Sequence, residues 1–302
     1  MKTVCLRSSP PNGRILLSDG RRLSFQESGS ADGHPVFYFH GFPGSRLETG
    51  FADPAAKRHS LRIIGVDRPG FGLSDFQPGR RLIDWPHDVT QLADALNIKR
   101  FAVLGVSGGG PYAAVCAFKI PSRLTVAGIG GGLGPIDVQK SMDRMTPVNR
   151  FGLYLSQKAP GLLRVIFPMV GFGLRWFPDR ILDYMAIGAG KPDRIVLTNP
   201  RIRQLMCDTF RESVRSGYSG PVTDLIIYGR PWGFSLEEIP IPVYLWHGES
   251  DRIVPAGMGR YLARSIPECR PTFYAGEGHF SLVANRMEEI LGVIEGLIRN
   301  SG

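Results

Sequence analysis

The stretch FAVLGVSGGGPYAAVCAF, residues 101–118, constrains this chain more than any other. Phe101–Val106 is short, continuous and apolar, the pattern of a strand buried on both faces. From Pro111 onward the pattern is helical, with proline tolerated in the first turn and Pro121 closing the run. Ser107 falls on the junction, where the chain has to reverse within about two residues, so its backbone is strained and its side chain is presented outward. Gly105, Gly108, Gly109 and Gly110 make room for that turn and for close approach of another backbone or a ligand. A buried strand running straight into a helix is the building block of a parallel α/β sheet.

The same junction has a chemical consequence. The helix after Ser107 aims unpaired N–H groups and the positive end of its dipole back at the serine oxygen. An oxygen placed there can attack a carbonyl, and the oxyanion formed lands on those N–H groups. Gly105-Val106-Ser107-Gly108-Gly109 fits the G-x-S-x-G nucleophile elbow in its strand-then-helix setting; the competing reading is a glycine-rich turn with an ordinary polar serine.

A serine hydroxyl needs a base, commonly a histidine oriented by a carboxylate. Of the six histidines, His279 in GEGHFS follows a predicted strand, and Gly276 and Gly278 suggest a loop that places it as the base. His40 and His247 end strands, whereas His34, His59 and His87 lie in polar segments. For the acid, HGESDRIVP follows the strand 241–246, and residues just past the carboxyl ends of strands line the site in open α/β sheets. Glu249 and Asp251 both qualify; Asp251 has the better context, because the chain turns away at Arg252–Pro255. A second oxyanion donor belongs in the loop after an early strand, here His40-Gly41-Phe42-Pro43-Gly44. The Phe42 N–H is the candidate, paired with the Gly108 N–H, and His40 reads as a histidine bracing that loop.

The rest of the 302 residues supports one α/β domain with an interruption. A hairpin around Asp19-Gly20, strands at 35–40, 62–66 and 124–128, and a helix from Trp85 to Leu96 precede it. Strands at 241–246 and 270–275 and a closing helix at 286–298 follow it. The predicted division is a core of residues 1–134 and 236–302 around a helical segment of residues 135–235. There, Phe151, Tyr154, Phe167, Phe172 and Trp176 suit either an acyl pocket or the segment's own core, and residues 160–178 suggest a lid that touches lipid.

Composition narrows the classes. A net charge of +9 permits anionic partners, but the basic residues are dispersed and no nucleic-acid motif accompanies them. Cys5, Cys116, Cys207 and Cys269 form no C-x-x-C pair, which points to a reducing compartment. The first residues lack the apolar core of a signal peptide and no apolar run is long enough to span a bilayer, so a cytoplasmic, soluble protein without stable membrane insertion is expected. GIGGGLG at 128–134 and GAGKP at 188–192 break the dinucleotide and phosphate-loop spacings, and no metal-ligand spacing occurs. No cofactor and no metal are expected.

Five blocks occur in order: HGFPG at 40–44, DRPGFGLS at 67–74, GVSGG at 105–109, HGESD at 247–251 and GEGH at 276–279. Together they resemble the signature blocks of the α/β-hydrolase superfamily, over residues 20–134 and 236–300. The resemblance implies an eight-stranded, mostly parallel sheet with flanking helices, Ser107 as nucleophile, Asp251 as acid, His279 as base, and residues 135–235 as a cap. HGFP is similar to the block of epoxide hydrolases and haloalkane dehalogenases, but those carry an aspartate nucleophile where this chain has Ser107. Serine forms an acyl-enzyme, so the expected substrate is a small-molecule carboxylic ester of small to medium acyl chain. The same three residues would also serve a lactone, a carbon–carbon bond beside a ketone or perhydrolysis, and a non-catalytic receptor on this fold is the remaining alternative.

Overall fold

The computed structural model describes residues 12–136 and 144–300, which leaves Cys5 and the opening residues outside the described residues. Eight strands form one sheet: β1 Asn12–Leu16, β2 Arg22–Gly29, β3 His34–Phe39, β4 Leu61–Val66, β5 Phe101–Val106, β6 Leu124–Gly130, β7 Val243–Gly248 and β8 Cys269–Tyr274. Their order is β1-β2-β4-β3-β5-β6-β7-β8. The hairpin β1–β2 and the β2–β4 pair are antiparallel, and every other pair is parallel. All six residues of β5 are buried, as an apolar run in a sheet covered on both faces requires.

Helices α1 Asp53–Arg58, α2 Trp85–Ala95 and α3 Gly110–Lys119 belong to the first half of the sheet. Between β6 and β7 the described residues form six more: α4 Pro147–Lys158, α5 Pro160–Trp176, α6 Pro178–Gly188, α7 Lys191–Leu197, α8 Pro200–Ser213 and α9 Ser219–Tyr228. Helices α10 Ala256–Ser265 and α11 His279–Asn300 complete the chain. One face of the sheet packs against α2, α3 and α10, through residues such as Val89, Val115 and Leu262. The other packs against α1 and α11, through Ala56, Leu282, Ile290 and Ile294.

Four prolines of the inserted segment mark helix starts, while Pro168 lies inside α5. Pro147, Pro160, Pro178 and Pro200 each open a helix, where proline's fixed φ is already helical and its missing N–H costs nothing. The insertion has its own apolar cluster, built on Leu155, Leu163, Phe167, Leu182, Met206 and Phe210, and Phe42, Phe51 and Phe280 of the sheet domain pack into it. Three buried carboxylates of the insertion also reach the sheet domain. Glu212 on α8 pairs with Arg46 at 2.6 Å, Asp224 on α9 pairs with Arg68 at 2.7 Å, and Asp193 on α7 accepts the His279 N–H at 2.9 Å.

Candidate active site

Ser107 has a φ of 54°, in the left-handed region that a side chain rarely enters. The turn is that tight because β5 and α3 are pressed together around it. A Cβ on Gly105 would lie 2.2 Å from the Gly109 carbonyl oxygen, and one on Gly109 would lie 2.0 Å from the Phe39 carbonyl oxygen. Only glycine fits either position, and the strain at Ser107 is held by that packing.

Three expected residues meet here from widely separated elements. His279 Nε2 lies 2.9 Å from Ser107 Oγ, and His279 Nδ1 lies 2.6 Å from Asp251 Oδ2. Asp251 follows β7 and is fixed through its other oxygen, which accepts the N–H groups of Ile253 and Val254 at 2.8 Å each. All three side chains are buried. Burial by itself lowers the proton affinity of His279, but the charge and hydrogen bond of Asp251, then the charges of Asp193 and Glu48, outweigh it, and the pKa is raised.

One structural expectation is corrected. His279 does not sit in a loop ahead of a helix at 286–298; it is the first residue of α11. Asp193 explains this early start: its two oxygens accept the N–H groups of His279 and Ser281 at 2.9 Å each, doing for this helix what a local capping residue does elsewhere.

The other candidates separate clearly. Glu249 pairs with Arg260 at 2.6 Å on the surface, away from His279. His247 is buried 3.7 Å from Asp251, with its Nε2 2.8 Å from the Val254 carbonyl oxygen. His40 is buried with its Nδ1 2.9 Å from the Gly41 carbonyl oxygen, and burial together with the neighbouring Arg68 cation holds its pKa well below the usual imidazole range. Gly108 and Phe42 face each other: a Cβ on Gly108 would lie 2.8 Å from Phe42 Cβ. The Gly108 carbonyl accepts the Tyr228 hydroxyl at 2.9 Å.

Sequence reasoning missed the groups that hold this loop. Glu48 is buried and accepts the Gly41 N–H at 2.5 Å, one residue before Phe42. Burial raises its carboxyl to about 7, against the opposing pull of the Gly41 hydrogen bond and of Arg68 and His279. Arg68 donates to the carbonyls of His40 and Gly41 at 2.5 and 2.9 Å, and its charge is met by Asp224. Asp224 also accepts Arg80 and the Tyr112 hydroxyl. Arg68 belongs to the DRPGFGLS block, and Glu48 lies four residues past HGFPG. Asp193 and Asp224 carry no local signal at all.

A cavity of about 40 Å³ opens beside Ser107 and His279. Its walls are mostly apolar, among them Phe42, Phe51, Met206, Phe210 and Phe280, and Glu48 also lines it. Of the five aromatic residues considered for this pocket, only Phe167 is buried, packed against Phe42 with ring centroids 6.3 Å apart. Phe151, Tyr154, Phe172 and Trp176 are each more than half exposed, so they neither line the cavity nor fill the insertion's core.

An eight-stranded, mostly parallel sheet, a strained serine at the β5–α3 turn and a helical insertion after β6 define the class: this is an α/β hydrolase. Residues 34–285 match the α/β hydrolase fold family, and the chain belongs to it. It is similar to the non-heme chloroperoxidase of Streptomyces lividans, with 32% identity over 248 residues, 80% of this chain and 83% of that one. It is also similar to the 2-hydroxymuconate semialdehyde hydrolase of Pseudomonas putida, with 24% identity across 92% of this chain and 91% of that one. An esterase from Exiguobacterium antarcticum shares the fold, with a TM-score of 0.67 and 20% identity over 95% of this chain and 98% of that one.

Proposed function

We propose that the protein is a serine hydrolase that cleaves small, uncharged carboxylic esters through an acyl-enzyme on Ser107. The observation that carries this reading is the continuous contact from Ser107 Oγ to His279 Nε2 at 2.9 Å and from His279 Nδ1 to Asp251 at 2.6 Å. In the proposed reaction, Ser107 gives its proton to His279 as Oγ attacks the ester carbonyl. The N–H groups of Phe42 and Gly108 receive the oxyanion, and Asp251 stabilises the imidazolium. His279 returns the proton to the departing alkoxide, which leaves as the alcohol. A water deprotonated by His279 then attacks the acyl carbon, and collapse restores the Ser107 hydroxyl and releases the acid.

The small cavity of about 40 Å³ beside Ser107 supports a preference for short acyl groups. The test is turnover of p-nitrophenyl esters from acetate to palmitate by the wild type and by Ser107→Ala. The expected result is a maximum among the shortest esters and a loss of about 10³- to 10⁶-fold in kcat on substitution. Turnover that survives Ser107→Ala would refute the nucleophile assignment. A folded wild type that ignores the whole series would refute the ester reading and turn attention to the other reactions the same three residues would serve, on a lactone, on a carbon–carbon bond beside a ketone or in perhydrolysis.

A further inference from the structure

We propose that the outer face of α4, α5 and α6 docks the protein onto an anionic lipid surface, lying in the interface without crossing it. This inference is independent of which bond the active site cleaves.

Of the sixteen large apolar side chains that are exposed among the described residues, twelve fall between Val148 and Ile187. Helix α5 is apolar on both sides. Its inner stripe, Leu163, Phe167, Gly171 and Leu174, is buried against the insertion's core. Its outer stripe, Leu162, Val165, Met169, Phe172 and Trp176, repeats at three- and four-residue spacing and faces outward, with Val165 at 71% and Met169 at 77% exposure. A helix apolar all round is normally covered on all sides, and exposed apolar patches of this kind mark interaction surfaces.

Charge identifies the partner. Residues 147–176 contain Arg150, Lys158, Arg164 and Arg175 and no aspartate or glutamate. All four cations are exposed. Arg175 stands over the Trp176 ring and Arg180 over the Phe177 ring, each 5.7 Å from the centroid. The acids of α6, Asp179 and Asp183, are both engaged by Arg203 of α8. Exposed aromatic and aliphatic side chains among unopposed cations are the composition of an interfacial helix on anionic lipid. A second copy of the chain fits poorly, because a symmetric pairing of this face would set Arg150, Lys158, Arg164, Arg175 and Arg180 against the same five cations, while Asp179 and Asp183 are already engaged by Arg203. Among the described residues no helix is long and apolar enough to cross a membrane, so the contact is superficial. The face also backs directly onto the site, since Phe167 on the inner side of α5 packs against Phe42.

The protein contains its own reporter. Trp85, Trp232 and Trp246 are buried, whereas Trp176 is 60% exposed on the docking face. Full-length protein is titrated with phosphatidylcholine vesicles containing about 30 mol % phosphatidylglycerol, and with vesicles of phosphatidylcholine alone, at about 0.1 and about 0.5 M salt. The expected result is a blue shift and co-flotation with the anionic vesicles, at least about tenfold weaker without anionic lipid or at high salt. The shift disappears in Trp176→Phe, and binding disappears in the double variant Val165→Glu/Met169→Glu while its thermal melt is unchanged. Failure to bind anionic vesicles overturns the proposal. So does a shift retained in Trp176→Phe, which would put the contact on another face. A blue shift without vesicles that rises with protein concentration, together with a doubled mass by light scattering, would assign the face to a second copy and equally overturn it.

Discussion

Substituting Asp193 tests whether the insertion helps to shape the site or merely covers it. Asp193 is fully buried on α7 and accepts the N–H groups of His279 and Ser281, 86 and 88 residues further along the chain. A Cβ on Gly278, just before α11, would lie 2.4 Å from Asp193 Oδ2, so the carboxylate reaches these N–H groups across a glycine that leaves it room. Asp193→Ala leaves two buried donors without acceptors, at about 1–3 kcal/mol each, for an expected loss of about 2–6 kcal/mol of stability. Asp193→Asn retains one acceptor oxygen and turns an amide N–H toward the other donor, for a loss of about 1–3 kcal/mol. It also removes a negative charge that favours the protonated form of His279. If His279 is the base, it must be neutral to accept the Ser107 proton, so a lower pKa moves the acidic limb of kcat/KM to lower pH. Urea unfolding measures the first effect, and a pH profile with p-nitrophenyl acetate measures the second. A role confined to stability would leave the limb where it is in the wild type. An Asp193→Asn variant with unchanged limb and with stability within about 0.5 kcal/mol of wild type would refute the argument entirely.

The same logic applies to neighbouring groups. In the wild type the acidic limb of kcat/KM should lie above the ordinary imidazole value of about 6.5, because the carboxylates around His279 raise its pKa. Glu48→Gln preserves an acceptor for the Gly41 N–H but removes the charge that Glu48 carries above about 7 and that supports the imidazolium, so the limb should again move, by less, to lower pH; a limb that stays put or moves up would exclude an electrostatic role for Glu48. Asp224→Ala leaves Arg68 and Arg80 buried without their counter-charge and should cost about 3–5 kcal/mol in urea unfolding, and a loss below about 1 kcal/mol would show that the two arginines find other partners. Burial alone would raise the Asp224 pKa, but Arg68 and Arg80 bring it down to about 2. Its contribution is therefore present above the unfolded carboxyl value of about 3.9 and is lost as pH falls toward about 2.

What was legible in the sequence divides along a physical line. The sheet could be read because its determinants are local: β5 is a continuous apolar run, Asp19-Gly20 makes a hairpin turn with Gly20 at a φ of 86°, and Gly105 and Gly109 are sterically obligatory beside Ser107. The positions of Ser107, Asp251 and His279 were legible for the same reason, since each lies just past the end of a predicted strand. The start of α11 was not, because Gly276 and Gly278 read locally as a loop, while the groups that let the helix begin at His279 lie on α7. Helix α5 failed differently: with apolar residues on every side, periodicity could not say which stripe is buried, and four of the five aromatic residues expected inside are on the surface.

These illegible pairings share one feature, which is that each joins the insertion to the sheet domain. Glu212 meets Arg46 beside the loop that follows β3, Asp224 meets Arg68, which holds the carbonyls of His40 and Gly41, and Asp193 meets the N–H of His279. Removing Asp224 or Asp193 strands buried partners, whereas Arg46 keeps Asp67 at 2.6 Å without Glu212, so α7 and α9 resist separation from the sheet domain most strongly. Helices α4, α5 and α6 contribute none of these three carboxylates and carry the apolar outer face. The insertion therefore divides into an anchored half that braces the residues around Ser107 and an outer half that carries the apolar face, with Phe167 of α5 reaching Phe42 of the sheet domain.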